Sequence, residues 1–183
     1  DFYDAAYYGG YFSQFAQRAI GAATGMIDPA FWAQSNLVTN GGFEDGTSSW
    51  WISSGNGASA SISTTSGANG DALLIDTAAG GSYPWDISVG QYALALVPGT
   101  DYRLTFTAEA DSSRTLGLRV VQTSGTWPEY LAQTVSLNTS TQQFTFDFTT
   151  PSAGQTTVNL EFRAGGQGAV DVRIDDVWLI EQD

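Results

Sequence analysis

The chain has no cysteine, no histidine and no lysine among its 183 residues. Without cysteine there is no disulfide, no thiolate nucleophile and no zinc–thiolate centre; without histidine the commonest general base and metal ligand is missing. Any catalysis would have to run on carboxylates or hydroxyls. Arginine alone supplies the positive charge, and against 19 acidic residues it leaves a formal charge of -13. Nucleic acid and anionic membrane surfaces are therefore repelled rather than gripped. No apolar run approaches the roughly 20 residues needed to cross a bilayer, so membrane insertion is not expected. What is abundant is glycine, threonine, serine and aromatic residues. Hydrophobic residues make up 42% of the chain and aromatics 13%, enough for the core of one full domain with an appendage. A Thr/Ser/Gly/Trp-rich surface of low charge and without lysine points to an exported protein, extracellular or at the cell surface.

Two textures divide the chain. Over residues 1–35, Phe12, Phe15, Ala16, Ala19, Ile20 and Ala23 recur at three- and four-residue steps, which predicts an arm carrying a short amphipathic helix. Asp28-Pro29 ends it. From residue 36 to 183 the period is two: YRLTFTAEA, QFTFDFTT and VNLEFRA alternate apolar with polar residues, as half-buried strands do. Further runs at ALLID, QYALALV, TLGLRVVQ, LAQTVSL and VDVRIDDVWLI bring the expected total to about eight or nine strands, separated by turns such as Pro98-Gly99 and Gly165-Gly166. The fold class is all-β, an antiparallel sandwich of jelly-roll type.

The stretch VTNGGFEDGTSSWW, residues 38–51, admits three readings. A hydrolase would use the carboxylates of Glu44 and Asp45, a cation site their oxygens, and a sandwich the Trp50 ring as core filling. With NLVTNGGFEDGTSSW at the start, GDALLID and PWDISVGQYALALVPGTDYRLTFTAEAD in the middle, QTVSLNTSTQQFTFDFTTP later and VRIDDVWL at the close, the sequence resembles the carbohydrate-binding modules of families four, sixteen and twenty-two. The likeness runs from about Asn36 to Leu179.

That resemblance implies a jelly roll holding one structural calcium near the two ends of the module. The ligands would be the Gly42 carbonyl, the Glu44 carboxylate, the loop around Asp71, and the Asp175/Asp176 pair. Calcium takes six to eight hard oxygen ligands, and glycines let carbonyls turn toward an ion. Strand alternation after Ile174 favours Asp175 over Asp176, provided no bulge intervenes. In the same resemblance Trp50 takes a buried tryptophan position.

A polysaccharide partner requires exposed aromatic rings for stacking and planar polar groups for its hydroxyls. Tyr83, Pro84 and Trp85 form one aromatic cluster where a loop is ordinarily polar; Trp127, Pro128, Glu129 and Tyr130 form another. The resemblance places Trp85 and Trp127 at the sides of a cleft. Thr105, Thr107, Arg119, Asn159, Glu161 and Arg163 sit opposite the core-facing positions of their strands and are expected to line one sheet, with Arg119, Glu161 and Arg163 as the polar contacts. Trp51 and Trp178 are read with Trp50 as core or rim packing rather than as rings that stack on a ligand. A glycosidase needs two carboxylates flanking the scissile bond; Glu44 and Asp45 are adjacent in one turn and taken up by the implied calcium, and Glu129 and Glu161 have no evident carboxylate partner, so no enzyme is expected. The competing class is a self-assembling subunit of an extracellular filament or surface layer, its residues 1–35 packing on neighbouring copies.

Overall fold

The computed structural model describes residues 36–123, 125–153 and 156–182; the arm and helix expected over residues 1–35 lie outside them. Ten strands follow one another: β1 (Trp51–Ser54), β2 (Ser59–Ser66), β3 (Asp71–Ala79), β4 (Ile87–Ala95), β5 (Asp101–Ala110), β6 (Arg114–Gln122), β7 (Glu129–Leu137), β8 (Gln142–Thr149), β9 (Thr157–Arg163) and β10 (Val172–Glu181). They form two five-stranded sheets, ordered β1-β4-β9-β6-β7 and β2-β3-β10-β5-β8. Neighbours in both are antiparallel. The architecture is a jelly-roll sandwich.

Two strands were not among those expected. β2, SASISTTS, has only Ala60 and Ile62 as apolar residues packed on the core, and β1 is four residues long. A serine-rich edge strand reads like a linker because its alternation is hydroxyl against small residue.

The alternating rows meet between the sheets. Val158, Leu160 and Phe162 of β9 face Tyr102, Leu104 and Phe106 of β5 across the core, all nearly or fully buried. Phe106 and Phe162 join the two sheets edge to face, with ring centroids 5.1 Å apart. Trp50 lies 6.2 Å from Phe162 and 5.0 Å from Phe43, so the aromatic chain continues into the turn that opens the module.

That turn is stitched to β10. Asn36 donates from Nδ2 to the Val177 carbonyl at 2.9 Å and accepts from the Leu179 N–H at 2.9 Å, while the Val177 N–H donates to the Gly41 carbonyl at 2.8 Å. Gly41 must lack a side chain, since a Cβ there would stand 2.1 Å from the Val177 oxygen. Asn40 ties the following loop, donating to the Gly46 carbonyl and accepting from the Asp45 N–H; its own carbonyl accepts the Trp50 indole N–H at 3.1 Å. Within residues 38–51, then, Gly41 allows the close approach, and Phe43 and Trp50 enter the core.

Replacing Phe162 by alanine removes the ring shared by both sheets and is expected to destabilise the domain by about 3–5 kcal/mol. Urea unfolding checks this, with the midpoint falling and the slope unchanged.

Candidate functional site

The outer face of the β1-β4-β9-β6-β7 sheet carries a charged row set by the register of its strands. On β9, Asn159, Glu161 and Arg163 alternate with the core residues, and Glu161 stands opposite Gly90 of β4 and Arg119 of β6. Arg119 is ion-paired to Glu129 of β7, and its Nη1 lies 3.8 Å from Glu161; Arg163 Nη2 donates to the same Glu161 oxygen at 3.2 Å. Two guanidiniums and two carboxylates thus compensate one another on one surface. Arg119 thus stands between Glu129 and Glu161. Arg163 Nε remains a buried donor with no acceptor among the described residues, a capacity a hydroxyl oxygen or water would satisfy.

Thr105 and Thr107 do not belong to this row. Both lie on β5 of the opposite sheet, paired with β10 and β8. Alternation says which side of a strand a residue takes, and not which sheet the strand joins.

At the Arg163 end of the face a 3-10 turn, Pro84–Asp86, leads into β4. Asp86 is 2% exposed, and its Oδ2 accepts the Ser82 and Tyr83 N–H groups at 2.8 and 2.9 Å while Oδ1 accepts Asn56 Nδ2 at 2.8 Å. The Asn56 amide, helped by the Tyr83 and Ser82 N–H groups, holds this carboxyl below the usual range against the opposing effect of desolvation. Gly165 packs beneath, where a Cβ would stand 2.4 Å from the Tyr83 oxygen. On this support Tyr83 and Trp85 stack in parallel, 4.9 Å apart and inclined by 3°, each half exposed. The Arg163 guanidinium lies 6.0 Å from the centroid of the Trp85 ring, within cation–π range. Trp85 and Arg163 therefore belong to one surface.

Trp127 occupies the β6–β7 connection, 56% exposed at a φ of 55°. This connection adjoins the strand end where Val121 and Gln122 pair with Asn159 and Val158, opposite in strand direction to the Trp85 turn. Glu129 and Tyr130 belong to β7 rather than to the loop, and Tyr130 packs partly on the core at a shift in β6–β7 register. Trp50 is buried as expected. Trp51 is a half-buried rim residue that stacks on exposed Tyr92 at 4.7 Å and 12°. Neither ring was expected on the face. Trp51 was obscured by its buried neighbour, and Tyr92 by a bulge between Gln91 and Leu94 that breaks the alternation of β4.

The residues named for calcium gather about the turn between β2 and β3. Glu44 Oε1 accepts the Asp71 N–H at 3.0 Å, and Gly70, at a φ of 123°, passes so close that a Cβ there would meet that oxygen at 2.0 Å. Asp175 is buried beside Gly67, and Asp176 Oδ2 accepts Asn69 Nδ2 at 3.0 Å. Gly42 is half-buried in the adjoining turn. Asp175 keeps register with Thr107 on the outer row, but a bulge follows it directly, with Asp176 at a φ of 54°. No three acidic side chains converge into a ready cation cage among the described residues. The donors are all oxygen, however, so the chemistry fits a hard cation drawing on main-chain as well as carboxylate oxygens.

The sequence pattern of the carbohydrate-binding domain family matches residues 35–170. The chain belongs to that family, whose members are non-catalytic binding modules. A solved family 4 carbohydrate-binding module is 28% identical, with a TM-score of 0.73 over 79% of this chain and 99% of its own. The N-terminal cellulose-binding domain of Cellulomonas fimi β-1,4-glucanase C is 24% identical, with a TM-score of 0.61 over 81% and 98%. A family 11 module from Clostridium thermocellum, solved with a β-1,3-1,4-mixed-linked tetrasaccharide, shares the fold at 11% identity and a TM-score of 0.56 over 73% and 88%. No curated protein is similar enough in sequence to count as a match.

Burial raises the Glu161 carboxyl above the usual range; Arg119 opposes the shift and Glu129 adds to it. A carboxyl raised in the folded state binds more protons there than in the unfolded chain, so its contribution favours folding increasingly as pH falls through the raised value toward the unfolded one. Glu161→Gln lacks this contribution. Melting curves from about pH 7 to about pH 4 are expected to show the midpoint difference shifting in favour of the wild type as pH falls.

Proposed function

We propose that the outer face of the β1-β4-β9-β6-β7 sheet binds a β-linked polysaccharide of the glucan or xylan class and does not cleave it. The observation that carries this reading is the exposed Tyr83–Trp85 stack held on a rigid turn beside a self-compensated Arg/Glu network. A pyranose ring has an apolar C–H face and an edge of hydroxyls. The stack supplies the flat surface; Arg119, Glu161 and Arg163 supply donors and acceptors, already oriented by one another. Trp127 is the second platform at the other strand end. Cellulose binding by the Cellulomonas fimi relative and the mixed-linked ligand of the Clostridium thermocellum module support a β-glucan. The protein acts outside the cell or at its surface, where such polymers occur.

Affinity electrophoresis through gels containing soluble cellulose derivatives, mixed-linkage glucan, laminarin or xylan tests the reading. Wild-type protein should be retarded on at least one, and Trp85→Ala and Trp127→Ala should each bind about ten- to hundredfold more weakly, or about 1.4–2.8 kcal/mol. Full-affinity binding by both variants would remove the two rings from the site.

Calcium belongs to the same proposal as a structural ion held by Glu44, Asp175, Asp176 and oxygens of the Gly42 and Asp71 turns. An ion present at about a hundred times its dissociation constant adds about 2.7 kcal/mol, and roughly 5–10 °C of melting midpoint in a domain of this size. Chelator should lower the midpoint by that amount and added calcium restore it. An unchanged midpoint sinks the ion.

A further inference from the structure

We propose that Trp51 and Tyr92 form an additional stacking subsite on the β1 edge of the same face, taking a further pyranose ring of the bound glycan. The inference rests on the carbohydrate reading of that face and extends it to residues of a different edge. Three observations carry it.

The first is placement. Trp51 opens β1, the edge strand, and its cross-strand partner is Gly90, which in turn stands opposite Glu161. Trp51, Gly90, Glu161 and Arg119 are therefore successive positions along one line across the sheet. The indole lies over Gly90, where a Cβ would come within 3.1 Å of Trp51 Cζ2. The missing side chain at position 90 keeps the surface between the indole and the Glu161 carboxylate low and continuous.

The second is exposure in a fixed geometry. Tyr92 is 63% exposed, yet its ring is held parallel to Trp51 at 4.7 Å and 12°. An isolated exposed tyrosine would need no explanation. Two large rings stacked beside a polar row form a flat apolar surface next to hydroxyl-binding groups, which is the pairing that a pyranose requires.

The third is the construction that puts Tyr92 there. It sits in the bulge of β4, with Ala93 at a φ of 58°, a conformation that a residue with a Cβ seldom adopts. The bulge is clamped from two sides. Asn159 Oδ1 accepts the Ala93 N–H at 3.2 Å, and buried Gln91 exchanges two hydrogen bonds with the Thr39 backbone. Asn159, at 8% exposure, thus acts as a positioning residue for the platform. Tyr92 keeps the outward phase of Gly90, and the extra residue after it returns Leu94 to the core, so the ring is held at the margin of the charged row by a bulge rather than by a regular strand.

Isothermal titration of the full chain with cello-, xylo- and laminari-oligosaccharides, disaccharide to hexasaccharide, tests the subsite. Tyr92→Ala is expected to weaken the longest bound oligosaccharide about tenfold and to leave the shortest bound one unchanged, whereas Trp85→Ala weakens both. Trp51→Phe, which retains a ring, should keep most of the affinity that Trp51→Ala loses. Tyr92 is exposed, so its variant should melt within a few degrees of wild type, which separates lost binding from lost fold. If wild type binds and Tyr92→Ala binds equally at every length, the platform is overturned alone. If wild type binds none of the sugars, the reading of the face falls and the platform with it.

Discussion

The phase of β9 is the constraint on which the rest of the structure depends. Phe162 is wedged edge-on against Phe106 of the other sheet and lies beside Trp50, and a strand locked at one such position is locked at all of them. Because side chains alternate with period two, fixing Val158, Leu160 and Phe162 inward fixes Asn159, Glu161 and Arg163 outward. A slip by one residue would bury two charges and expose the aromatic anchor. Placement of the polar row is therefore a consequence of core packing. The β4 and β6 registers then bring Gly90 and Arg119 to Glu161 without further choice.

The face so produced is balanced rather than basic. Arg119 and Arg163 are matched by Glu129 and Glu161, in a protein whose overall charge is strongly negative. Among the described residues, each guanidinium of this row has a carboxylate beside it. Planar groups that orient one another lose little freedom when a neutral hydroxyl joins them, and partial burial strengthens each contact. The same burial disfavours ionised Glu161, an effect that Arg119 beside it opposes.

Much of this was legible in the sequence, and the limits have physical causes. The strands with bulky apolar residues at every second position, β5, β8 and β9 among them, declare themselves, as do the aromatic loops around Trp85 and Trp127. β2 does not, since Ile62 is its one bulky apolar residue among serines, threonines and alanine, and a single such residue sets no period. Sheet membership of Thr105 and Thr107 was out of reach because strand order is decided by long-range pairing. Trp51 was read with its neighbour Trp50, yet adjacent residues of a strand point to opposite faces. A burial pattern that assigns one tryptophan to the core assigns the next to the surface.

Bulges account for some of the remaining differences and adjoin several of the candidate residues. The β4 irregularity carries Tyr92, the β6–β7 shift adjoins Glu129 and Tyr130, and the β10 bulge begins directly after Asp175 and twists Asp176 into a left-handed conformation. In each case a strand departs from strict alternation beside residues assigned to sugar or to calcium. A regular sheet can offer only parallel rows at fixed spacing. An extra residue lets one strand present a ring or a carboxylate off that lattice while the core row on either side stays in register. The same event defeats a period-two reading of the sequence, so the positions hardest to place from the pattern are those where the sandwich departs most from being a plain scaffold.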